Sequence, residues 1–419
     1  MRTTRKVGGV ALEVVKIGLG WHVGAKAMPC VKVDDVIARG QRVGQMPDDA
    51  LGAHVHSSVC GRVVHICSDF IYIEEDDSCS TMTAKEMQTD SFEDMHCHGF
   101  VRIKADTHLE YIRAAGIVGC GGAGFPAHVK FATDLNGGTF ILNAAECEPG
   151  LMHNMHALKN QAGIVLSGLK YAMDMVNAKQ AVIAVKDKNK TYALEIAKLI
   201  KNEKNINIQF LPDIYPVGDE RVIVREILGV TLEPGQLPSA ASAMVSNVET
   251  VKRVHEAIEL KKPVFIKDFT VAGRINGEPK VFLDEPVGYR VQKYVDAVGG
   301  TIEPRGEIVM GGAFTGKSGY PADVVTKTTG AILIAMPYPD HARKFGLLAC
   351  ECGGDEARLT EIAEKMGGEI VASAMCKRMV EVNGRYRCDE PGNCPGQAEK
   401  VLALKSAGAD AVLIGSCED

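Results

Sequence analysis

Residues 116–150 read GIVGCGGAGFPAHVKFATDLNGGTFILNAAECEPG, and how this stretch is read decides the fold. Gly116, Gly119, Gly121, Gly122 and Gly124 are separated only by small or apolar residues, and a short apolar strand is expected over 139–142. A loop so poor in side chains exposes backbone N–H groups and lets an anion approach closely; phosphate is its natural guest, although a plain turn uses the same glycines. Asn143, Glu146 and Glu148 follow in the pattern N-x-x-E-x-E, closed by Pro149 and Gly150. Amide and carboxylate groups at the C-terminal end of a parallel strand stand where open α/β sheets bind ligands. Phosphate takes donors, whereas carboxylates accept from sugar or ribityl hydroxyls and ring N–H groups, so the stretch predicts a nucleotide-like molecule held at both ends. Ala144 and Cys147 alternate with the acids, which argues against a merely solvated loop.

The whole chain has 419 residues, enough for two to four domains, with 46% apolar and 24% charged residues, an ordinary globular composition. A net charge of −6 without a basic stripe argues against nucleic-acid binding. No apolar core of a signal peptide follows Met1, and no run is long enough to span a bilayer. Thirteen cysteines, an odd number, point to reduced thiols and a cytoplasmic setting rather than a disulfide framework.

GCGGAGFPAHVKF followed by NAAECEPG resembles the flavin-binding core shared by the C subunit of the Rnf electron-transport complex and the NADH-oxidising, FMN-binding subunit of respiratory complex I. The resemblance implies FMN, with its phosphate on the loop of Gly119, Gly121, Gly122, Gly124 and Phe125, and with Lys130 near that phosphate. It places Asn143, Glu146 and Glu148 around the isoalloxazine and the nicotinamide of NADH. Ala145 stands where the complex I proteins usually carry aspartate, a change shared by Rnf-like members. Within the family the match is nearest to the Rnf-C-like electron-transfer proteins associated with D-proline reductase. Two more segments occur in family order. Tyr215-Pro-Val-Gly-Asp-Glu-Arg supplies Gly218 and Glu220 near the nicotinamide, and Met244-Val-Ser-Asn-Val-Glu-Thr supplies Asn247 and Thr250 near the phosphate and loop. Asn247 is equally readable as a helix N-cap with Glu249 in the first turn.

The expected architecture is α/β and multidomain. Residues 1–107 carry short alternating segments at 10–17, 42–45, 61–66 and 70–74, a small β barrel or sandwich. The run from Ala53 to Val63 resembles the lipoyl-like barrel-sandwich module of Rnf C subunits, without a lysine at the turn for biotin or lipoate. An acidic polar insertion over 74–98 interrupts this unit; His54, His56, His96, Cys97 and His98 are expected to be solvated surface residues rather than a metal cluster. Residues 108–258 form the Rossmann-like FMN/NADH unit, with helices over 156–176 and 192–202 and strands over 180–185 and 206–211 predicting a parallel sheet. Residues 259–340 alternate around a helix at 289–298 and resemble the β-grasp (SLBB-type) module that follows in the family. Gly311 to Gly316 is expected to form a tight turn there, with ligand contact as the other reading.

Residues 341–419 depart from Rnf C subunits. The C-x-x-C-x-x-C-x-x-x-C-P run of a four-iron cluster is absent, so no iron–sulfur cluster is carried over. Strands at 345–350, 369–374 and 411–414, with helices at 355–366 and 395–407, predict a compact βαβαβ unit. Cys350, Cys352, Cys376 and Cys417 fall at strand ends. Cys394 is expected to begin the second helix with Pro395 at its first position, where the helix dipole favours thiolate. A redox thiol relay, a metal or cluster of unusual spacing, and inert buried thiols all stay open. Only Ser416-Cys417-Glu418-Asp419 follow Gly415 at the end of the last strand, as they would if a selenocysteine codon, known from the proline-reductase system, were read as a stop after Asp419.

Together these features predict a flavoprotein that takes hydride from NADH onto FMN and passes electrons through thiols to a partner reductase such as D-proline reductase. The alternatives are a peripheral subunit of an Rnf or complex I-like membrane complex, or a non-catalytic docking subunit.

Overall fold

A computed structural model describes residues 6–7, 10–11, 13–76, 99–339 and 343–415. After a two-stranded antiparallel ribbon of Lys6–Val7 and Val10–Ala11, the described residues of the first unit contain seven further short strands: β1 (Val14–Gly18), β2 (Met28–Pro29), β3 (Val36–Ile37), β4 (Arg42–Gln45), β5 (Val55–His56), β6 (Gly61–Ile66) and β7 (Phe70–Glu75). They make an antiparallel sheet of order β1-β7-β6-β3 and a second of order β2-β4-β5. Val15, Ile17, Val43, Val63, Ile71 and Ile73 alternate inward and fill the space between them. His54 and His56 correct the expectation of solvated histidines: they are 7% and 2% exposed. Met46 N–H donates to His54 Nδ1 at 3.2 Å, and burial pushes the His54 imidazole down to about 4. The acidic insertion from residue 77, with His96, Cys97 and His98, lies outside the described residues.

The second unit begins with α1 (His108–Ala114), whose Thr107 and Glu110 form a reciprocal capping box, and the short α2 (Ala127–Lys130). Then come β8 (Thr139–Ala144), α3 (His153–Asn160), α4 (Ala162–Met175), β9 (Gln180–Lys186), α5 (Leu194–Leu199), β10 (Ile206–Leu211), α6 (Glu220–Leu228), β11 (Ala243–Asn247) and α7 (Val248–Glu259). The single helix expected over 156–176 is two, broken where Gln161 leaves the helical region at φ −128°, ψ 30°. The helix expected over 192–202 is a 3₁₀ turn, Asp187–Ala193, leading into the shorter α5. The four strands form one parallel sheet of order β10-β9-β8-β11. Helices cover both faces, which is why β8 and β9 read as near-continuous apolar runs rather than alternating ones.

The third unit is a mixed sheet of five strands: β12 (Ile266–Gly273), β13 (Lys280–Pro286), β14 (Ile308–Met310), β15 (Lys317–Gly319) and β16 (Ala331–Ile334), with α8 (Val291–Asp296). Its order is β13-β12-β16-β14-β15, only β12 and β16 running parallel. Its core is continuous with that of the first unit, Phe269, Phe282 and Tyr294 meeting Val15, Ile17 and Ile73 in one cluster. A buried ionic network ties it to α7: Arg253 donates to Glu249 (3.0 Å), Glu256 (2.8 Å), Asp268 (2.8 Å) and Asp284 (2.9 Å). Lys252, Lys262 and Lys267 share these carboxylates, so removing one acid would leave positive charge in excess in a dry interior.

The last unit has β17 (Lys344–Ala349), α9 (Glu356–Lys365), β18 (Glu369–Met375), a hairpin of β19 (Met379–Val382) and β20 (Arg385–Cys388), α10 (Ala398–Ser406) and β21 (Ala411–Ile414). Its parallel sheet has order β18-β17-β21. The hairpin is an addition to the expected βαβαβ unit. Among the described residues no helix is long and apolar enough to cross a membrane.

Candidate flavin and electron-transfer site

The order β10-β9-β8-β11 places a topological switch point between β8 and β11, because the chain leaves β8 toward one side of the sheet and returns on the other. Asn143 and Asn247 are register partners at the C-terminal ends of these two strands. Above them opens a cleft of about 900 Å³, within the size range of small-molecule sites.

Of the residues expected to bind cofactor, Gly121, Gly122, Asn143, Glu146, Glu148, Gly218 and Asn247 line this cleft. Gly119, Gly124 and Phe125 shape the loop: Gly119 N–H donates to Phe125 O (2.9 Å) and Gly124 N–H to Gly119 O (3.0 Å). Thr250 acts on the loop from behind, its Oγ1 accepting from Cys120 N–H at 3.0 Å. Asn247, which lines the cleft, is also the N-cap of α7, accepting from Glu249 N–H at 2.8 Å. Gly121 and Gly122 meet different constraints. A Cβ on Gly121 would come within 3.2 Å of the Asn247 amide, whereas one on Gly122 would enter open space, but from a φ of +110°.

The acids divide by partner. Glu146, at φ +31°, accepts from Asn154 Nδ2 at 3.0 Å. Burial, helped by nearby Glu148, raises its carboxyl to about 7. Part of its surface stays open to the cleft, so cleft water tempers that shift. Glu148 accepts from Phe314 N–H (2.8 Å) and from Thr315 N–H (3.1 Å) and Oγ1 (2.5 Å). The Gly311 to Gly316 turn thus caps this acid while Gly311 and Gly312 line the cleft. Asn143 Nδ2 donates to Gly218 O at 2.8 Å, joining β8 to the segment before α6. Lys130 and Glu220 pair with one another at 2.6 Å and stand outside the cleft lining. Asp219 lines it instead, as N-cap of α6 accepting from Arg221 and Val222 N–H, with its carboxyl raised by burial.

Residues that the local pattern did not single out complete the walls. Trp21 and Phe70 come from the first unit, and Thr326, Thr328 and Thr329 from the third. Lys327 between them is buried, donating to His54 O (3.0 Å) and Gly116 O (2.8 Å) and so joining three units at one atom; burial lowers its ammonium to about 8. The cleft also carries a mark of a missing polar guest. His153 and Asn154 line it, both are buried, and His153 Nδ1 and Asn154 Oδ1 have no partner among the described residues. A backbone cradle at Gly121 and Gly122, carboxylates, and orphaned buried polar atoms fit a flavin mononucleotide.

The last unit reaches the same cleft through Glu351, Cys352 and Pro391. The structure brings together Cys350, Cys352 and Cys376, adding Cys388, which the spacing did not reveal. Cys394 is corrected: α10 begins at Ala398 with Gln397 as N-cap, so Cys394 lies outside the helix, exposed and away from its dipole. Gly396, at φ +73°, turns the chain before the helix can start at Pro395. Cys417 lies outside the described residues. No group of three or more His, Cys, Asp or Glu side chains among the described residues is arranged to hold a metal ion.

Fold and cleft define an α/β protein with a flavin-type site at its switch point, and the comparisons with known proteins agree. Residues 112–256 match the family described as the Nuo51 FMN-binding domain, and residues 11–85 match the RnfC barrel sandwich hybrid domain. The chain is 33% identical over 333 residues to the C subunit of the Na⁺-translocating ferredoxin:NAD⁺ oxidoreductase complex of Acetobacterium woodii, covering 77% of this chain and 73% of that one. It is 30% identical over 325 residues to the C subunit of the proton-translocating ferredoxin:NAD⁺ oxidoreductase complex of Clostridium ljungdahlii, covering 77% and 70%. The cobalamin reductase PduS of Salmonella typhimurium is 36% identical over 237 residues, 55% of this chain and 50% of that one. The chain belongs to the family of Rnf complex C subunits.

Proposed function

We propose that this chain is a flavin-binding electron-transfer subunit that exchanges electrons with NADH and works as a peripheral part of a larger oxidoreductase assembly. The observation that carries this reading is the cleft at the β8/β11 switch point, with its glycine cradle and the unpartnered atoms His153 Nδ1 and Asn154 Oδ1. Bound there, FMN would supply a centre that accepts two electrons together and releases them singly or paired. In this reading the backbone of Gly121 and Gly122 receives the phosphate, and Asn143 and Asn247 orient polar ring or ribityl atoms. Glu146, its carboxyl raised by burial, is the cleft acid that takes a proton most readily, while Trp21 and Phe70 limit water on one wall. The similarity to two Rnf C subunits supports docking against a membrane complex. PduS, named as a reductase, supports a partner-reductase reading, of which D-proline reductase is the case that the resemblance implies.

The test is anaerobic reconstitution of the purified chain with FMN, followed by NADH. We expect stoichiometric binding with quenched flavin fluorescence and bleaching of the flavin band on NADH addition. A chain that takes up no FMN, yet still co-purifies with a reductase, would make it a docking subunit.

A further inference from the structure

Four cysteines gather where the last unit meets the cleft, and backbone contacts explain how. Ala349 and Met375 are paired across the parallel strands β17 and β18, and Cys376 N–H donates to Ala349 O at 2.9 Å, so Cys350 and Cys376 emerge side by side. Met379 N–H returns to Cys376 O at 2.9 Å, and Met379 is the register partner of Cys388 in the hairpin. Cys388 N–H in turn donates to Glu351 Oε2 at 2.5 Å, drawing the hairpin end over the turn that carries Cys352. The side chains follow: Cys352 is hydrogen-bonded to both Cys350 and Cys388, and Cys350 also to Cys376. Gln397 Nε2 donates to Cys376 Sγ at 3.0 Å.

The cluster is fixed against the flavin-type unit, not merely near it. Arg221 of α6 donates to Cys388 O (2.7 Å) and to Glu351 (3.0 Å), Arg225 donates to Pro391 O (3.0 Å), and the Tyr215 hydroxyl bonds Cys352 O. Cys352 is the member of the four that lines the cleft; Cys350, Cys376 and Cys388 are buried behind it.

We propose that Cys352 and Cys388 form a dithiol/disulfide couple that exchanges an electron pair with the flavin of the cleft, a step that rests on the function proposed above. In the reductive direction the donor is the two-electron-reduced flavin anion. It gives up two electrons and one proton and becomes oxidised flavin; the Cys352–Cys388 bond breaks, one sulfur takes that proton and the other takes a proton from solvent. Cys388 is the partner because it comes from a separate strand. A Cys350–Cys352 bond would have to close a ring over one intervening residue, against the usual disulfide geometry. In the dithiol state hydrogen bonding by Cys352 holds the neighbouring Cys350 thiol down at about 6, whereas burial pushes the Cys376 thiol up to about 11, so of the two outer cysteines Cys350 is the one poised as a thiolate.

The experiment uses the full chain. Oxidation with diamide, alkylation and peptide mapping are expected to find a Cys352–Cys388 cross-linked peptide and a loss of about two free thiols per chain, neither of which C352S shows. Photoreduced FMN, added without oxygen to the oxidised chain, is expected to restore those thiols in the wild type. A cross-link joining other cysteines, four thiols that all stay alkylatable, or stoichiometric zinc or iron held by the cluster would overturn the proposal. FMN binding is recorded in the same samples by fluorescence quenching. Binding without the cross-link sinks the thiol couple alone. A cross-link without FMN binding sinks the flavin reading and the electron-pair exchange with it.

Discussion

Replacing Glu146 by glutamine isolates the most perturbed carboxyl in the cleft. Its pKa rises from 4.5 to about 7, chiefly because surrounding atoms desolvate it, so between these values the folded chain binds more protons there than the unfolded chain. Stability therefore falls as pH climbs from 4.5 to 7 and is flat above. Full desolvation would make the loss about 3 kcal/mol; because the carboxyl keeps an opening to the cleft, we expect about 1–2 kcal/mol. Glutamine copies the protonated acid in shape and can still accept from Asn154 Nδ2, but it cannot ionise. Thermal unfolding of ligand-free wild type and E146Q should nearly coincide at pH 5. At pH 8 the variant should melt higher by about 1–2 °C, the usual sign of a polar site held for function at the expense of stability. Calorimetric scans at both pH values decide it. A difference that is the same at pH 5 and pH 8, or a variant less stable at pH 8, would show that the fold does not hold Glu146 neutral.

K327M should lose about 2–4 kcal/mol, because the carbonyls of His54 and Gly116 would be left buried without a donor; the shift in guanidinium midpoint measures it. Since burial lowers Lys327 to about 8, the unfolded chain holds its proton longer, and the wild type should gain stability relative to the variant as pH rises from 8 toward 10. G122A puts a methyl into the open cleft from a φ of +110°. It should fold with about 1–2 kcal/mol of strain and bind FMN at least about tenfold more weakly, read by fluorescence titration. R221A removes the bonds to Cys388 O and Glu351 and should raise amide exchange in the 376–388 segment about tenfold, seen by mass spectrometry, with β8 to β11 unaffected.

Three strands of the parallel sheet were legible because their signals are local: 139–142 and 180–185 are short apolar runs, as burial on both sheet faces demands, and 206–211 alternates as an edge strand can. The fourth, β11, was not expected as a strand. The glycine loop and the acids after β8 were legible for a related reason: their chemistry depends on spacing within one strand-loop stretch. The hairpin of β19 and β20 carries an equally local signal. Asn383-Gly384 stands between alternating residues, and both adopt positive φ, 51° and 73°, as a type I′ turn requires.

What stayed hidden depends on contacts between units. Histidines at 54 and 56 look solvated in the sequence because nothing nearby shows that their strand is covered, and Glu148 looks available to a ligand because its donors come from Phe314 and Thr315, 166 and 167 residues later. The same reasoning separates the cysteines. Strand-end position identified Cys350, Cys352 and Cys376, which meet because adjacent parallel strands end together. Cys394 stands apart because its expected helix start rested on Pro395 alone, and proline permits a helix's first turn without requiring one. Cys388 joins the cluster only because the hairpin folds back onto Glu351 while Arg221 of another unit holds its carbonyl. A thiol's role in such a chain thus follows less from its neighbours in sequence than from which sheet edge, and which foreign arginine, fixes the turn that carries it.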